Sequence, residues 1–187
     1  MVLGRPKPIT LDAVIIEFIG SPESVLSGLS LTGPSLAGTN SLGVWVLSDR
    51  ELKLLGAVTR RASDVRWMAR PRMGTADKIE SRMFVGNTIS VSGATRDIGL
   101  TISFLPRLHE KSTDLTTSIT LLTAVTNQAG ASMEFAQGDV ISIRTNFAAA
   151  ARIQIAKGSG VFLLDTGDRD THRKRTGVII STTFPKK

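Results

Sequence analysis

Residues 98–104 read Ile98-Gly-Leu-Thr-Ile-Ser-Phe104, and apolar side chains in this stretch alternate with small or polar ones. A period of two places the apolar side chains on one face of a strand and the polar ones on the other. The pattern predicts antiparallel strands with one solvated face, and therefore a mainly β protein with an antiparallel β-sandwich or jelly-roll-like body. The same period recurs in residues 85–92, 115–125, 141–144, 151–155 and 178–184.

The alternation begins near residue 83, so we assign the β-sandwich body to residues 83–187. We assign residues 1–47 to an N-terminal strand with an extended arm, and residues 48–82 to a short helix with a basic loop. Turn-forming groups such as Lys157-Gly-Ser-Gly160 separate the strands of the body. No boundary between these parts resembles a long linker, and we expect one domain overall.

Residues 1–82, which precede the body, have a different sequence pattern. Residues 10–19 are β-branched and apolar, which predicts a strand buried on both faces. Residues 20–43 are rich in Gly, Ser and Leu, which favours an extended arm that lies either on a neighbouring subunit or over its own core. Ser48-Asp-Arg-Glu51 is a capping-box pattern and predicts a helix over 49–61. Residues 62–80 contain Pro71 and Gly74, and we expect them to be irregular.

Composition excludes several classes of protein. The chain has 187 residues, of which 41% are hydrophobic and 21% charged, so it is not intrinsically disordered and can bury a core. Because no run of about 18 apolar residues occurs, we expect no membrane span and no membrane partner. The start lacks the long apolar stretch of a secretory signal. Without cysteine the chain has no disulfide, thiolate zinc site or cysteine nucleophile.

Catalytic and metal-binding patterns are weak. Phe162-Leu-Leu-Asp-Thr-Gly167 resembles the active-site turn of retroviral-type aspartic proteases. That family has a small residue after the turn and a long segment beyond it, whereas this chain has Asp168 there and few residues remaining. The two histidines, His109 and His172, lie in predicted loops without a carboxylate relay. We therefore expect no enzyme activity, no cofactor and no metal site.

Basic residues are in excess and clustered. Lys and Arg number 23 against 16 Asp and Glu, a formal net charge of +7, and such clusters attract phosphates and acidic protein surfaces. Trp and Met beside Arg are also typical of protein interfaces. For a subunit or partner interface we predict Leu26, Leu29, Leu31, Leu36, Trp45, Trp67 and Met68. For contact with nucleic acid or an acidic partner we predict Arg60, Arg61, Arg66, Arg70, Arg72, Arg173, Lys174 and Arg175.

The stretch Met133-Glu-Phe-Ala-Gln-Gly-Asp-Val-Ile-Ser-Ile-Arg-Thr-Asn146 resembles a phrase found in jelly-roll and C1q-like virion modules. Together with the Thr- and Ser-rich strands and the glycine-rich arm, it gives the chain a resemblance to viral and bacteriophage structural proteins. The resemblance implies a virion protein, either a small capsid coat protein or a capsid decoration (cement) protein. It also implies a homo-oligomer, commonly a trimer, that contacts other capsid subunits.

A nucleic-acid-binding module is the alternative hypothesis. In that case the arginines between residues 60 and 72 contact phosphates, and binding weakens steeply with salt. A coat protein that lines its genome with this cluster combines both hypotheses.

Overall fold

The computed structural model describes residues 8–29, 42–91, 94–126, 141–166 and 174–183. Within these ranges the chain forms ten strands and two helices. In chain order they are β1 (Pro8–Phe18), α1 (Pro22–Leu26), β2 (Leu42–Leu47), α2 (Asp49–Arg61), β3 (Val65–Ala69), β4 (Arg72–Ala76), β5 (Ser81–Val91), β6 (Ala94–Leu108), β7 (Ser112–Thr126), β8 (Ile141–Ala156), β9 (Gly160–Asp165) and β10 (Arg175–Thr183).

The strands form two antiparallel sheets, which confirms the predicted mainly β fold. Sheet A has the order β2-β9-β10-β1-β3, and β4 also pairs with β1. Sheet B has the order β5-β6-β7-β8, so each of its strands pairs with the next one along the chain. Each strand of such a meander buries one face and exposes the other, which is why its period-two pattern can be read from the sequence.

Sheet B carries the alternation that the sequence predicts. Ile102 and Phe104 of β6 are buried against sheet A, and Ile102 lies opposite Ile119 of β7. Thr101 and Ser103 point to the opposite, solvated face and lie opposite Thr120 and Ser118. One face of sheet B therefore forms core, and the other is a surface of small polar side chains.

Sheet A combines the two ends of the chain. β1 pairs with β10 from Thr10 opposite Thr183 to Phe18 opposite Arg175. β9 pairs with both β10 and β2. Four of the six strands of this sheet, β1 to β4, come from before residue 83. The body assigned to residues 83–187 thus shares its core with the segment assigned to residues 1–82. Alternation along single strands does not reveal such pairing between distant segments.

Residues 62–80 are not irregular, and that prediction is wrong. β3 pairs with the second half of β1, from Ile15 to Phe18, and β4 pairs with the first half, from Pro8 to Asp12. Between them the carbonyl oxygen of Pro71 accepts a hydrogen bond from the Ala13 N–H (2.9 Å). Pro71 ends one short strand and lets the next begin on the same neighbour, so it divides the edge without ending the pairing.

Two cores lie on the two faces of sheet A. The first fills the space between the sheets and includes Leu11, Ile102 and Leu163. The second lies under α2 and includes Phe18, Leu55 and Phe162. Strand β9 contributes Val161 and Leu163 to the first core and Phe162 and Leu164 to the second, so it is apolar at every position from 161 to 164. The layers are therefore helix, sheet A and sheet B.

Helix α2 begins and ends where the sequence predicts. The Ser48 side chain accepts a hydrogen bond from the Glu51 N–H, and the Glu51 carboxylate accepts one from the Ser48 N–H. The segment predicted as an arm contains α1, a second helix that the sequence does not predict, and residues 30–41 lie outside the described residues. In the part of the chain that the structure describes, no helix is long and apolar enough to cross a membrane.

Candidate assembly surface

The outer strands of sheet B have open edges. Within the described residues β5 pairs only with β6, and β8 pairs only with β7. β5 has 11 residues and β8 has 16, whereas an average strand has about 5–6 residues. A long open edge presents a row of unpaired N–H and C=O groups that can pair with a strand of another chain.

The direction of the strands makes the two edges complementary. Because sheet B has four consecutive antiparallel strands, β5 and β8 run in opposite directions. When β8 of one copy lies beside β5 of an identically oriented copy, the new pair is antiparallel, as are all the others in the sheet. The joined sheets can repeat around a rotation axis and close a ring, since each copy uses two different edges.

Sheet A does not cover the whole inner face of sheet B. Leu100, Leu121 and Phe147 lie in one row across β6, β7 and β8, and all three are buried. Val85 of β5 lies in the same row and is 46% exposed. Sheet A therefore covers the inner face at β6 to β8, while the β5 edge of the same row remains accessible to another chain.

A cluster of polar and charged side chains lies at the end of sheet B that contains the β6–β7 turn. The Asp114 carboxylate of β7 accepts hydrogen bonds from His109 Nε2 (3.1 Å) and from the Gln154 side chain of β8 (3.2 Å), and Arg152 lies 3.9 Å away. The hydrogen bond from His109, above all, lowers the pKa of Asp114, with smaller contributions from Gln154 and Arg152. The ionised carboxylate thus links the β6–β7 turn to β8.

The residues predicted for an interface lie mostly against this chain's own second core. Leu29 is buried there, and Leu26 and Trp67 pack against it. Trp45 also packs there and stacks on Phe162, with ring centroids 5.3 Å apart. The burial of these side chains therefore needs no second subunit. Met68 is 44% exposed on β3, and Leu31 and Leu36 lie outside the described residues.

Several of the predicted basic contact residues have partners within the chain. Arg72 lies 3.3 Å from Asp12, Lys174 lies 3.1 Å from Glu17, and Arg175 lies 3.1 Å from Glu23. The guanidinium of Arg60 lies over the Trp67 ring, 4.8 Å from its centroid.

The remaining members of that set fall into two groups. Arg61, Arg66 and Arg70 are exposed and form no salt bridge with any described residue. Arg173 lies outside the described residues. The predicted basic contact residues therefore do not form one continuous basic surface. Arg72, Lys174 and Arg175 instead pair with acidic side chains of β1 and α1.

The protease-like stretch ends a strand of sheet A. Asp165 is the last residue of β9 and lies opposite Leu42 of β2, and Gly167 lies outside the described residues. Among the described residues no three His, Cys, Asp or Glu side chains are grouped so that they could hold a metal ion. The absence of enzyme activity stays a prediction.

The fold resembles that of bacterial secretion and pilus proteins. A Klebsiella pneumoniae type II secretion system outer membrane complex matches with a TM-score of 0.51 and 12% identity, over 98% of this chain and 41% of that one. The type II secretion secretin XcpQ from Pseudomonas aeruginosa matches with a TM-score of 0.51 and 11% identity, over 97% and 60%. The V. cholerae type IV competence pilus secretin PilQ matches with a TM-score of 0.51 and 12% identity, over 97% and 62%.

These matches show a shared fold across nearly the whole of this chain. The chain spans between 41% and 62% of the length of these neighbours. No family model matches the sequence, and no curated protein matches it.

The comparisons overturn the viral interpretation. The prediction of a virion coat or decoration protein, with capsid subunits as partners and the virion as its location, is wrong, because the structures that share this fold are bacterial secretion and pilus proteins. The comparisons also give no support to the alternative of a nucleic-acid-binding module. The resemblance failed because it depended on residues 133–146 and on strand composition, which many antiparallel sheets share. Of that stretch only 141–146 lie in the described residues, at the start of β8.

Sequence reasoning missed the open edges. Their signal was present in the length of the alternating runs, since β6, β7 and β8 each have 15 or 16 residues. These strands are longer than the strands of sheet A, which have five to eleven residues.

Proposed function

We propose that this chain is a ring-forming structural subunit of a bacterial envelope assembly of the secretion or pilus type. In this assembly, β8 of each copy pairs with β5 of the next. The observation that carries the proposal is the pair of open, antiparallel, unusually long edges of sheet B in a fold that secretins share over 97% of this chain. The role is structural and involves no catalysis. The proposal of an envelope assembly differs from the sequence-based expectation that the chain has no membrane partner.

The outer face of sheet B supports a repeated sheet. Its central rows carry Thr101, Thr120 and Ala148, then Ser103, Ser118 and Ala150. These side chains are short and uncharged, and Arg82 is the one charged side chain that β5 adds to these two rows, so each seam brings a single cation beside uncharged neighbours there. The face can continue from copy to copy at little electrostatic cost.

Disulfide trapping tests the seam directly, because the chain has no cysteine of its own. Ala150→Cys on β8 is combined in turn with Arg82→Cys, Phe84→Cys or Thr88→Cys on β5. All four positions are exposed and lie on the outer face of sheet B. Only one register brings a pair within the roughly 4.4–6.8 Å between Cα atoms that a disulfide needs.

After oxidation we expect one of these double variants to give a ladder of crosslinked oligomers in a denaturing gel. The matched control combines Ala150→Cys with Lys53→Cys on α2, which lies on the far side of sheet A, and it should give no ladder. Native mass measurement of the unmodified chain should show a closed oligomer. A monomer at every concentration, with no ladder from any pair, would contradict the proposal.

A further inference from the structure

A groove of about 740 Å³ lies between α2 and the face of sheet A that points away from sheet B. One side of α2 borders it along Asp49, Lys53, Gly56 and Arg60. This stretch of helix is about 17 Å long at 1.5 Å per residue. The groove falls within the roughly 300–1,000 Å³ that ligand sites occupy, and it is separate from both edges of sheet B.

The floor of the groove is apolar, and a glycine of α2 borders it. Val14 and Ile179 of sheet A and Leu52 of α2 contribute to the lining. A Cβ atom added at Gly56 would meet nothing within 4 Å. Glycine is a poor helix former, so α2 gives up helix propensity at the position where a side chain would enter the groove.

The rim of the groove is positively charged. Lys53, Arg60, Arg70 and Lys157 border it, and among the described residues Asp49 is the one acidic side chain in the lining. Asp49 is already paired with Lys53 (2.5 Å). Arg70 is exposed and forms no salt bridge with the described residues. The field at the groove therefore favours an anionic partner.

A buried donor adds a directional feature. Trp67 lines the groove beneath Arg60, and its Nε1 is buried without an acceptor among the described residues. A buried donor without an acceptor is costly, and a carbonyl or carboxylate oxygen of a ligand can satisfy it. The combination of an apolar floor, a basic rim and an indole N–H suits an acidic peptide with apolar side chains.

We propose that this groove binds an acidic segment of a partner protein, with apolar side chains on the floor and carboxylates toward Arg70 and Arg60. At about 3.3 Å per residue, an extended segment of roughly five residues spans its length. The proposal does not depend on ring formation, because no residue of β5 or β8 lines the groove.

Fluorescence anisotropy provides the test. The probes are a fluorescein-labelled heptapeptide of alternating glutamate and leucine and its lysine–leucine counterpart. We expect the protein to bind the acidic probe about tenfold more tightly than the basic one. Arg70→Glu should weaken that binding by about tenfold or more. Arg61→Glu makes the same charge change on α2 outside the groove and should change it by less than about threefold.

Two further variants separate blocking from misfolding. Gly56→Trp fills the groove and should abolish binding, whereas Gly56→Ala leaves it open and should retain binding. Both should keep the oligomeric state of the unmodified chain, which separates this test from that of the ring. Equal affinity for the two probes, or equal losses in Arg70→Glu and Arg61→Glu, would overturn the proposal. Binding to phosphatidylglycerol vesicles in an Arg70-dependent manner, without peptide binding, would assign the groove to a lipid surface instead and also overturn it.

Discussion

Gly86 and Gly99 lie directly opposite each other in β5 and β6, and neither position has room for a side chain. A Cβ atom on Gly86 would lie 2.1 Å from the carbonyl oxygen of Ile98, and one on Gly99 would lie 2.4 Å from that of Val85. Gly99 also has a φ of +137°, which residues with a side chain rarely adopt. The pair allows close approach of the two strands next to the row that contains Val85 and Leu100.

Gly99→Val should destabilise the protein by about 1–3 kcal/mol, because it combines a strained φ with a clash against the backbone of β5. Urea unfolding at neutral pH measures the change. Gly74→Ala is the matched control, since a Cβ at Gly74 in β4 meets nothing within 4 Å. We expect the control to stay within about 0.5 kcal/mol of the unmodified chain. Equal effects of the two substitutions would mean that the glycine pair is not a steric requirement.

The sequence is informative where structure is local. The alternation in β6 and the Ser48–Glu51 capping box each depend on residues a few positions apart, and both are found as predicted. β3 and β4 have five residues each and lie on either side of Pro71, so their own patterns are too short to indicate strands. They form strands because β1 offers them an edge, and that pairing is a tertiary effect.

The candidate sites could not be predicted for the same reason. Trp67 lies among arginines in the sequence, which favours an exposed interface, but α2 comes from earlier in the chain and partly covers it. The groove exists only once α2 lies across sheet A. The open edges of sheet B depend on which strands find no partner, a property of the whole topology rather than of any segment.

Ser48→Ala should destabilise α2 by about 1 kcal/mol, because the first turn loses the acceptor for the Glu51 N–H. The measurement is the midpoint of urea unfolding. Thr88→Ala serves as the control, since the Thr88 hydroxyl donates a hydrogen bond to the exposed Asp97 side chain within sheet B, and its effect should be smaller. A larger loss in the control than in Ser48→Ala would contradict the importance of the cap.

Stability should fall in acid through three carboxylates with lowered pKa values. The hydrogen bond from His109 is the main cause for Asp114, that from Ser21 for Glu23, and that from Ser48 for Glu51. A carboxylate with a lower pKa in the folded chain stabilises it at every pH above its unfolded pKa of about 4. That contribution is lost as the pH falls through the folded pKa.

Asp114→Asn tests this pH dependence at one site. The variant should lose less of its urea midpoint between about pH 7 and pH 3 than the unmodified chain, because one of the three titrating groups is gone. Glu110→Gln removes an exposed carboxylate from the same turn that forms no salt bridge with the described residues, and it should keep the original slope. An unchanged slope in Asp114→Asn would show that the cluster of β7 and β8 does not couple folding to pH.

The single variants Phe84→Glu and Met68→Glu distinguish two possible contacts between copies: the proposed pairing of β8 with β5, and the interface that the sequence predicts. Both side chains are partly exposed, at 39% and 44%, so neither substitution should cost the single subunit more than about 1 kcal/mol. Phe84 lies on the β5 edge of sheet B, whereas Met68 lies on β3 of sheet A. A charge placed on an edge strand opposes pairing with another chain. Sedimentation velocity should therefore show that Phe84→Glu shifts the oligomer toward smaller species while Met68→Glu leaves it intact. The reverse result would place the contact between copies at sheet A and remove the edges of sheet B from the assembly.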